Sequence, residues 1–152
     1  MFKKLLLTAC LAVGLFANSL TTGSEVPNIK IKDQFEKEHT LDASFKTILF
    51  TASKDENGTI RDFINEKGKS EFLTTNGMAY IADITGMPSL ITKFFAMPKM
   101  KKYEFPILLI DEENKALFPV QDEKISVISL ENGKVTDVKY VKTKEELAAL
   151  FN

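Results

Sequence analysis

Alternating apolar and polar positions mark the first patterned stretch of this chain. Residues 28–33 alternate apolar and charged side chains, and a second short stretch near Thr40 and Leu41 follows a polar turn. A period of two residues is typical of a strand with one covered face. The pattern predicts an N-terminal β-hairpin.

Two longer apolar runs follow, at residues 45–52 and 78–84. The first is rich in β-branched and aromatic residues and nearly free of charge, as in a central strand that is buried on both faces, and the second is interpreted as the next strand. Between them, apolar pairs recur at helical spacing, with Gly68 and the Asn76-Gly77 pair as breaks. A strand, a helix and another strand in this order predict a parallel sheet.

The next segment predicts a helix that begins near Pro88 and carries an apolar stripe. Proline is tolerated in a first helical turn because its missing N–H would have no partner there, and Pro98 is expected to stop the helix. The stripe consists of Leu90, Ile91, Phe94, Phe95 and Met97.

Residues 103–111 form the apolar run around which the rest of the sheet is expected to be organised. The run carries Pro106 near its start and an acidic turn behind it, which is typical of a buried strand with a proline where no ladder hydrogen bond is needed. Residues 115–119 then predict a short edge piece.

The C-terminal part predicts a hairpin and a helix. Residues 125–130 and 134–141 flank an Asn132-Gly133 turn, which is a strong hairpin signal. Thr143 and Glu146 are three residues apart, as in a capping box, and precede an amphipathic helix that runs to Phe151.

The first 19 residues predict a secretory signal peptide. Two lysines precede a short apolar run, and small residues around Ser19 suit signal peptidase. The run is too short to span a bilayer. Cleavage after Ser19 would leave residues 20–152 as a single domain in the periplasm.

A lipoprotein cleavage box at residues 7–10 is the alternative for the leader. Cleavage there would leave only residues 5–9 as an apolar core. It would also place apolar residues 11–16 where lipoproteins carry a polar tether, so lipid anchoring through Cys10 is disfavoured.

Loss of the leader changes the chemistry that is available to the chain. Cys10 is the only cysteine in the sequence, so the mature protein would have no thiol and no disulfide. The mature chain would also have 18 basic and 21 acidic residues, a net charge of -3, once Lys3 and Lys4 are removed. This balance argues against general nucleic-acid binding.

The order β-α-β-α-β-β-α, with a proline heading the third core strand, resembles the thioredoxin fold. The preceding hairpin resembles the N-terminal addition of peroxiredoxins. The resemblance implies an α/β three-layer fold with a central mixed sheet, helices on both faces and an N-terminal β-hairpin extension. It also implies that Pro106 is cis and faces an active-site loop at residues 51–57, where the family's cysteines belong. That loop contains no cysteine, so the resemblance carries over the fold and not the redox activity.

A cleft between that loop and the proline is the first candidate site. Strand ends followed by helix N-termini bind ligands in open α/β sheets, here a peptide or a small anion. The alternative makes Ser53, Asp55 and Asn57 ordinary helix caps. The candidate cleft residues are Thr51, Ser53, Lys54, Asp55, Phe105 and Pro106.

A lysine patch at Lys93, Lys99, Lys101 and Lys102 is the second candidate site. With the neighbouring aromatic residues it could dock on an acidic partner or on anionic lipid. The alternative is that the aromatic rings pack on the sheet while the lysines are solvated.

Metal binding and catalysis have weaker signals. Thioether sulfur suits Cu(I), but methionine is also ordinary core filler. His39 is the only histidine and lies in a polar turn region, where a solvated role is expected. No catalytic constellation and no cofactor are predicted, and the methionines in question are Met78, Met87, Met97 and Met100.

The function predicted from these features is a redox-inactive periplasmic thioredoxin-like protein that binds a partner protein or peptide. The alternatives are a copper or cofactor carrier that uses methionines, and a cysteine-free enzyme that uses Ser53 or Asp55.

Overall fold

The structure is a computed structural model that describes residues 19–151. Its strands form an N-terminal hairpin and a five-stranded sheet in the order β5-β4-β3-β6-β7. Strands β3, β4 and β5 are parallel, whereas β6 runs antiparallel to β3 and β7 antiparallel to β6. The strands are β1 (Ile29–Lys32), β2 (Glu38–Leu41), β3 (Thr47–Thr51), β4 (Met78–Asp83), β5 (Leu108–Ile110), β6 (Ile125–Glu131) and β7 (Lys134–Val141).

The helices begin and end at residues that the sequence marks. Gly68, at a φ of 131°, separates the first two helices, and Thr143 and Glu146 form the predicted capping box at the last. Asn132 and Gly133 both have positive φ, as a type I′ hairpin turn requires. The helices are α1 (Lys54–Lys67), α2 (Lys69–Thr75), α3 (Ser89–Ile91), α4 (Met97–Met100) and α5 (Lys144–Ala149), with a π-helical turn at Thr92–Ala96 and a 3-10 turn at Lys115–Leu117.

Hydrophobic residues on the two faces of the sheet form two clusters. One cluster joins Leu49 and Tyr80 of the sheet to side chains from α1, α2, α4 and α5. The other joins Ile48 and Phe50 to the N-terminal hairpin, to Leu20 and to Phe118. In the part of the chain that the structure describes, the 3-10 turn, through Leu117, is the one helical piece that contributes to this second cluster.

Three local predictions are wrong. The buried strand expected over residues 103–111 is only three residues long, and it lies at one edge of the sheet. The helical segment continues through Pro98 to Met100, because the π turn ahead of it gives Met97 a hydrogen bond to the Thr92 carbonyl and lets the chain pass the proline. The expected edge piece at residues 115–119 contains a 3-10 turn instead. The predicted leader and Cys10 lie outside the described residues, apart from Ser19.

Pro106 is held by the side chain of Gln34. Gln34 is fully buried, and its Nε2 donates to the carbonyl of Phe105 at 2.8 Å while its Oε1 accepts from the N–H of Ile107 at 2.8 Å. Nε2 also donates to the carbonyl of Met100 at 3.2 Å. The amide side chain therefore supplies the partners that a strand would supply on both sides of the proline.

The peptide bond before Pro106 is trans, since no described peptide bond is cis. The expectation of a cis proline is therefore wrong. Pro106 stands at the amino end of an edge strand, where a missing N–H costs no ladder bond.

Candidate functional site

The candidate site lies at the carboxyl ends of β3 and β4, where the chain leaves the sheet to begin α1. Thr51, the last residue of β3, is fully buried. Its Oγ1 donates to the carbonyl of Lys124 at 2.9 Å and accepts from the N–H of Ser53 at 3.2 Å. One hydroxyl thus connects the loop before α1 to the loop before β6.

Ser53 makes a second connection between the same two loops. Its Oγ accepts a hydrogen bond from the N–H of Glu123 at 3.2 Å. Ser53 occupies the N-cap position of α1, but its side chain makes no capping bond to the helix. The serine hydroxyl therefore serves the contact between loops, and the reading of Ser53 as an ordinary side-chain cap is wrong.

The structure does not bring Phe105 and Pro106 to this loop. Leu108 pairs with Ile81 and Ile81 with Phe50, so Pro106 precedes that level by two residues and Ser53 follows it by three. Pro106 therefore lies before the amino end of β5 and Ser53 beyond the carboxyl end of β3, with β4 between the two strands. The cleft predicted between Ser53 and Pro106 is corrected accordingly, since the segment that faces Ser53 is Glu123 and Lys124.

The first turn of α1 carries its own acidic residues. Asp55 is exposed, whereas Glu56 is buried, with Lys142 Nζ 3.9 Å from its Oε2. Lys142 Nζ also donates to the carbonyl of Glu123 at 3.3 Å. Because carboxylates already complement the positive end of the helix, the arrangement does not favour a small anion as the ligand.

A cavity of about 300 Å³ opens beside α1 at this edge. Asn57, on its wall, is buried and accepts a hydrogen bond at Oδ1 from the hydroxyl of Tyr80 at 2.6 Å. Burial raises the pKa of Tyr80, so its hydroxyl remains a donor even above the pH at which an exposed tyrosine ionises. The cavity is lined by Ala52, Lys54, Asn57, Asp83, Ile84, Gly86 and Met87.

Of the seven residues that line this cavity, only Lys54 is among the candidate cleft residues. The sequence pattern predicts a strand at residues 78–84 that Thr85 and Gly86 close, whereas residues 83–87 end β4 and follow it at the edge where β3 also ends. The parallel pairing of β3 with β4 is the signal that could have placed them there, because carboxyl ends of parallel strands meet at one edge.

Solved structures with the same arrangement of strands and helices are thiol-disulfide proteins and peroxiredoxin-like proteins. A putative protein disulfide isomerase from Bacteroides thetaiotaomicron is 19% identical, with a TM-score of 0.56 over 86% of each chain. A putative thiol:disulfide interchange protein DsbE from Chlorobium tepidum is 19% identical, with a TM-score of 0.54 over 88% of this chain and 96% of that chain. The peroxidoxin BcpB from Mycobacterium tuberculosis is 15% identical, with a TM-score of 0.53 over 86% of this chain and 93% of that chain. The chain has a thioredoxin-like fold.

No family model matches the sequence, and no curated protein matches it closely. The thioredoxin-like fold is therefore established from structure, with the predicted mixed sheet and N-terminal hairpin. In this thioredoxin-like fold, Ser53 and the first residues of α1, Lys54, Asp55 and Glu56, stand where the cysteines are expected, and none of them is a cysteine. A hydroxyl and carboxylates cannot form the thiolate on which disulfide exchange depends.

The methionines do not share one exposed site. Met78 and Met100 are buried in the helix-side hydrophobic cluster, against which Met97 packs. Met87 lies instead on the wall of the cavity. Core packing accounts for Met78, Met97 and Met100. Among residues 19–151, no group of three or more histidine, cysteine or acidic side chains could hold a metal ion.

His39 lies in β2, far from Ser53 in the fold, and is not a solvated turn residue. Its Nε2 is 2.7 Å from Oδ2 of the buried Asp33. Oδ1 of Asp33 accepts from the N–H groups of Phe35 and Lys37 at 2.8 and 3.1 Å. Burial raises the pKa of Asp33, but the bonds from His39 and the backbone outweigh it, so the net pKa is lowered. The pair fixes the hairpin turn and is not available to activate Ser53.

The lysine patch lies on the α3 to α4 segment, away from the loop before α1 in sequence. All four of its lysines are exposed. The neighbouring rings of Phe94 and Phe95 are exposed as well, so the expectation that these aromatics pack on the sheet is wrong. No helix within residues 19–151 has the length and apolarity needed to cross a membrane.

Proposed function

We propose that this protein is a redox-inactive, exported thioredoxin-like protein that holds a partner polypeptide at the cavity beside α1. The observation that carries the proposal is the cavity itself, which lies at the carboxyl ends of β3 and β4 next to a loop without cysteine. Ligands of open α/β sheets bind at this edge.

The cavity lining defines what the partner would present. Ala52, Ile84 and Met87 supply apolar surface, and a volume of about 300 Å³ is at the lower end of ligand cavities. One apolar side chain of an extended segment is therefore the expected occupant. Lys54 and Asp83 stand at the same cavity with opposite charges, and they are suited to bind backbone carbonyl and N–H groups of that segment.

Site-specific photocross-linking tests the proposal. A benzoylphenylalanine residue replaces Met87 in one variant and Lys54 in another, and Thr136, an exposed residue of β7, in the control. We expect adducts to other polypeptides in the periplasmic fraction at positions 87 and 54 and none at 136. Equal adduct patterns at all three positions would show that the cavity does not select a polypeptide.

Export is the second element of the proposed function. Leu20, the first residue after the predicted cleavage point, is buried, and its N–H donates to the Leu117 carbonyl at 2.8 Å. A chain that begins at Leu20 could keep this contact through its terminal amino group. We expect the intact mass of the periplasmic protein to match residues 20–152. A mass that retains the leader, or a lipid on Cys10, would contradict this.

The two alternative functions gain no support from the geometry. A methionine copper site would use Met78, Met97 and Met100, which pack in or against the core, and Met87, which lies apart from them on the cavity wall. An enzyme that uses Ser53 would need a base beside its hydroxyl, whereas Ser53 Oγ is bonded to the backbone of Glu123 and His39 is bonded to Asp33.

A further inference from the structure

Four large apolar side chains stand out from the surface of the α3 to α4 segment. Phe95 is 71% exposed, Leu90 70%, Phe94 61% and Ile91 47%. They are four of the six large hydrophobic residues that are exposed in the described chain, and they fall within six positions. We call Leu90, Ile91, Phe94 and Phe95 the apolar crest. A cluster of this kind is typical of an interaction surface.

The crest is presented outward by a segment that is anchored on its other side. Met100 is buried in the helix-side cluster, and Ala96 and Met97 pack against the same cluster. Leu90 and Phe94, like Ile91 and Phe95, are four residues apart and share one side of the helical segment. The crest therefore faces outward from an anchored segment, and it lines neither the cavity beside α1 nor the cavity at Pro106.

Only positive charge accompanies the crest. Residues 84–103 contain four lysines and no acidic residue. Lys93 Nζ lies 5.7 Å from the centroid of the Phe94 ring, and the other three lysines follow the crest at positions 99, 101 and 102. Residues 20–152 have 18 basic and 21 acidic residues, so the part of them outside this segment carries a net charge of -7. An anionic surface would attract this one segment and repel the net charge of the rest of the molecule.

We propose that the apolar crest and the four lysines dock the protein on an anionic phospholipid surface. Leucine and phenylalanine side chains would enter the boundary between headgroups and acyl chains, while lysine stems reach back to the phosphates. An exposed apolar crest on a segment that carries four lysines and no acidic residue suits this surface, because a bilayer needs no complementary groove. The inference concerns a different surface from the cavity and does not depend on the proposed polypeptide partner.

Vesicle co-sedimentation tests the docking. The protein used is residues 20–152, which contain both hydrophobic clusters of the fold. The vesicles are equal parts phosphatidylglycerol and phosphatidylcholine, or phosphatidylcholine alone. We expect at least tenfold stronger binding to the anionic vesicles and progressive loss of binding as salt is raised, because salt screens the lysines.

Variants separate the two contributions. Phe94→Ser with Phe95→Ser should lower binding more than tenfold, because each buried ring contributes strongly to partitioning. Lys101→Glu with Lys102→Glu should lower it about fivefold or more for each lysine removed. The matched controls, Phe35→Ser and the pair Lys32→Glu with Lys139→Glu, change exposed residues outside the segment and should leave binding unchanged.

Three results would overturn the inference. The first is equal binding to both vesicle types, or none. The second is an equal loss of binding in the control variants. The third is the absence of vesicle binding together with the formation of a dimer, or of a complex with an acidic polypeptide such as polyglutamate. In that case Phe94→Ser with Phe95→Ser would abolish the dimer or the complex. An unchanged urea midpoint in every variant shows that the fold is intact.

Discussion

The two ends of the central sheet are both held by hydrogen bonds from side chains to the backbone, but they border different cavities. At the amino end of β5, Gln34 binds the backbone on both sides of Pro106. At the carboxyl end of β3, Thr51 and Ser53 bind the backbone of Lys124 and Glu123. In each case a side chain from a distant segment makes hydrogen bonds to the backbone groups of a loop. The amino end borders a cavity of about 600 Å³ that Phe105 and Pro106 help to line, whereas the carboxyl end borders the cavity of about 300 Å³ that we assign to a partner.

The difference shows why a proline-headed strand is a poor guide to the site. Pro106 has the local sequence that the resemblance associates with an active-site proline, yet it heads an edge strand. The strand beside β3 on its other side is β6, and Glu123 and Lys124 precede it. The position in the sheet, and not the residue type, decides which loop faces Ser53.

Removal of the Gln34 side chain should produce the largest effect on stability. Gln34→Ala leaves the carbonyl of Phe105 and the N–H of Ile107 without their buried partner, while the carbonyl of Met100 keeps its bond from the N–H of Tyr103. Each unsatisfied buried group is costly, so we expect a loss of about 2–4 kcal/mol in the free energy of unfolding. Urea unfolding followed by circular dichroism measures it.

Gln121→Ala is the matched control, since Gln121 is exposed, and should change stability by less than about 0.5 kcal/mol. Gln34→Glu keeps an acceptor for Ile107 but cannot donate to Phe105, so it should remain strongly destabilised. Equal urea midpoints for Gln34→Ala and Gln121→Ala would show that the hydrogen bonds of Gln34 do not stabilise the amino end of β5.

At the carboxyl end, Thr51→Val should have a smaller effect. The variant keeps the shape of the side chain but loses the hydroxyl that bonds Lys124 and Ser53. We expect a loss of about 1–2 kcal/mol in the free energy of unfolding. Thr51→Ser retains the hydroxyl and should be affected less. Should the serine variant lose as much as the valine variant, packing and not hydrogen bonding would hold these loops together.

The sequence predicted the elements well and their contacts poorly. Period-two and apolar runs identified the hairpin, β3, β4, β6 and β7, because these patterns reflect burial of one or both strand faces. Capping residues identified α5 for a similarly local reason. The bond from Ser53 to Glu123 joins residues 70 positions apart, and no local pattern encodes such a pairing.

The exposure of the apolar crest is a second feature that the sequence pattern could not predict. Leu90, Phe94 and Phe95 have the spacing of a buried stripe, and periodicity alone cannot tell which side of a helix meets the core. In the structure, Met100 and Ala96 are the residues of this segment that pack in or against the core, so the stripe is exposed. Exposure is a property of the assembled fold, and the sequence could supply only the alternatives.

The smallest predicted effect is the pH dependence contributed by Asp33 at the amino end. Its pKa is lowered in the folded protein by His39 and by the backbone, despite burial. An unfolded aspartate has a pKa of about 3.9, so the unfolded state binds more protons between that value and the lowered one. The stabilisation from Asp33 is therefore complete above about pH 5 and is lost as pH falls through its folded pKa.

Asp33→Asn removes this titration, and the two proteins should be compared across that pH range. We expect the variant to be about 1 kcal/mol less stable near neutral pH, because charge-assisted bonds are replaced by neutral ones. The difference should shrink below pH 4, where the wild-type carboxylate becomes protonated. Asp42, Glu104 and Glu146 also have lowered pKa values, and they are present in both proteins, so their contributions cancel. A difference that stays constant down to pH 2.5 would show that Asp33 stabilises the hairpin turn through shape and neutral hydrogen bonds alone.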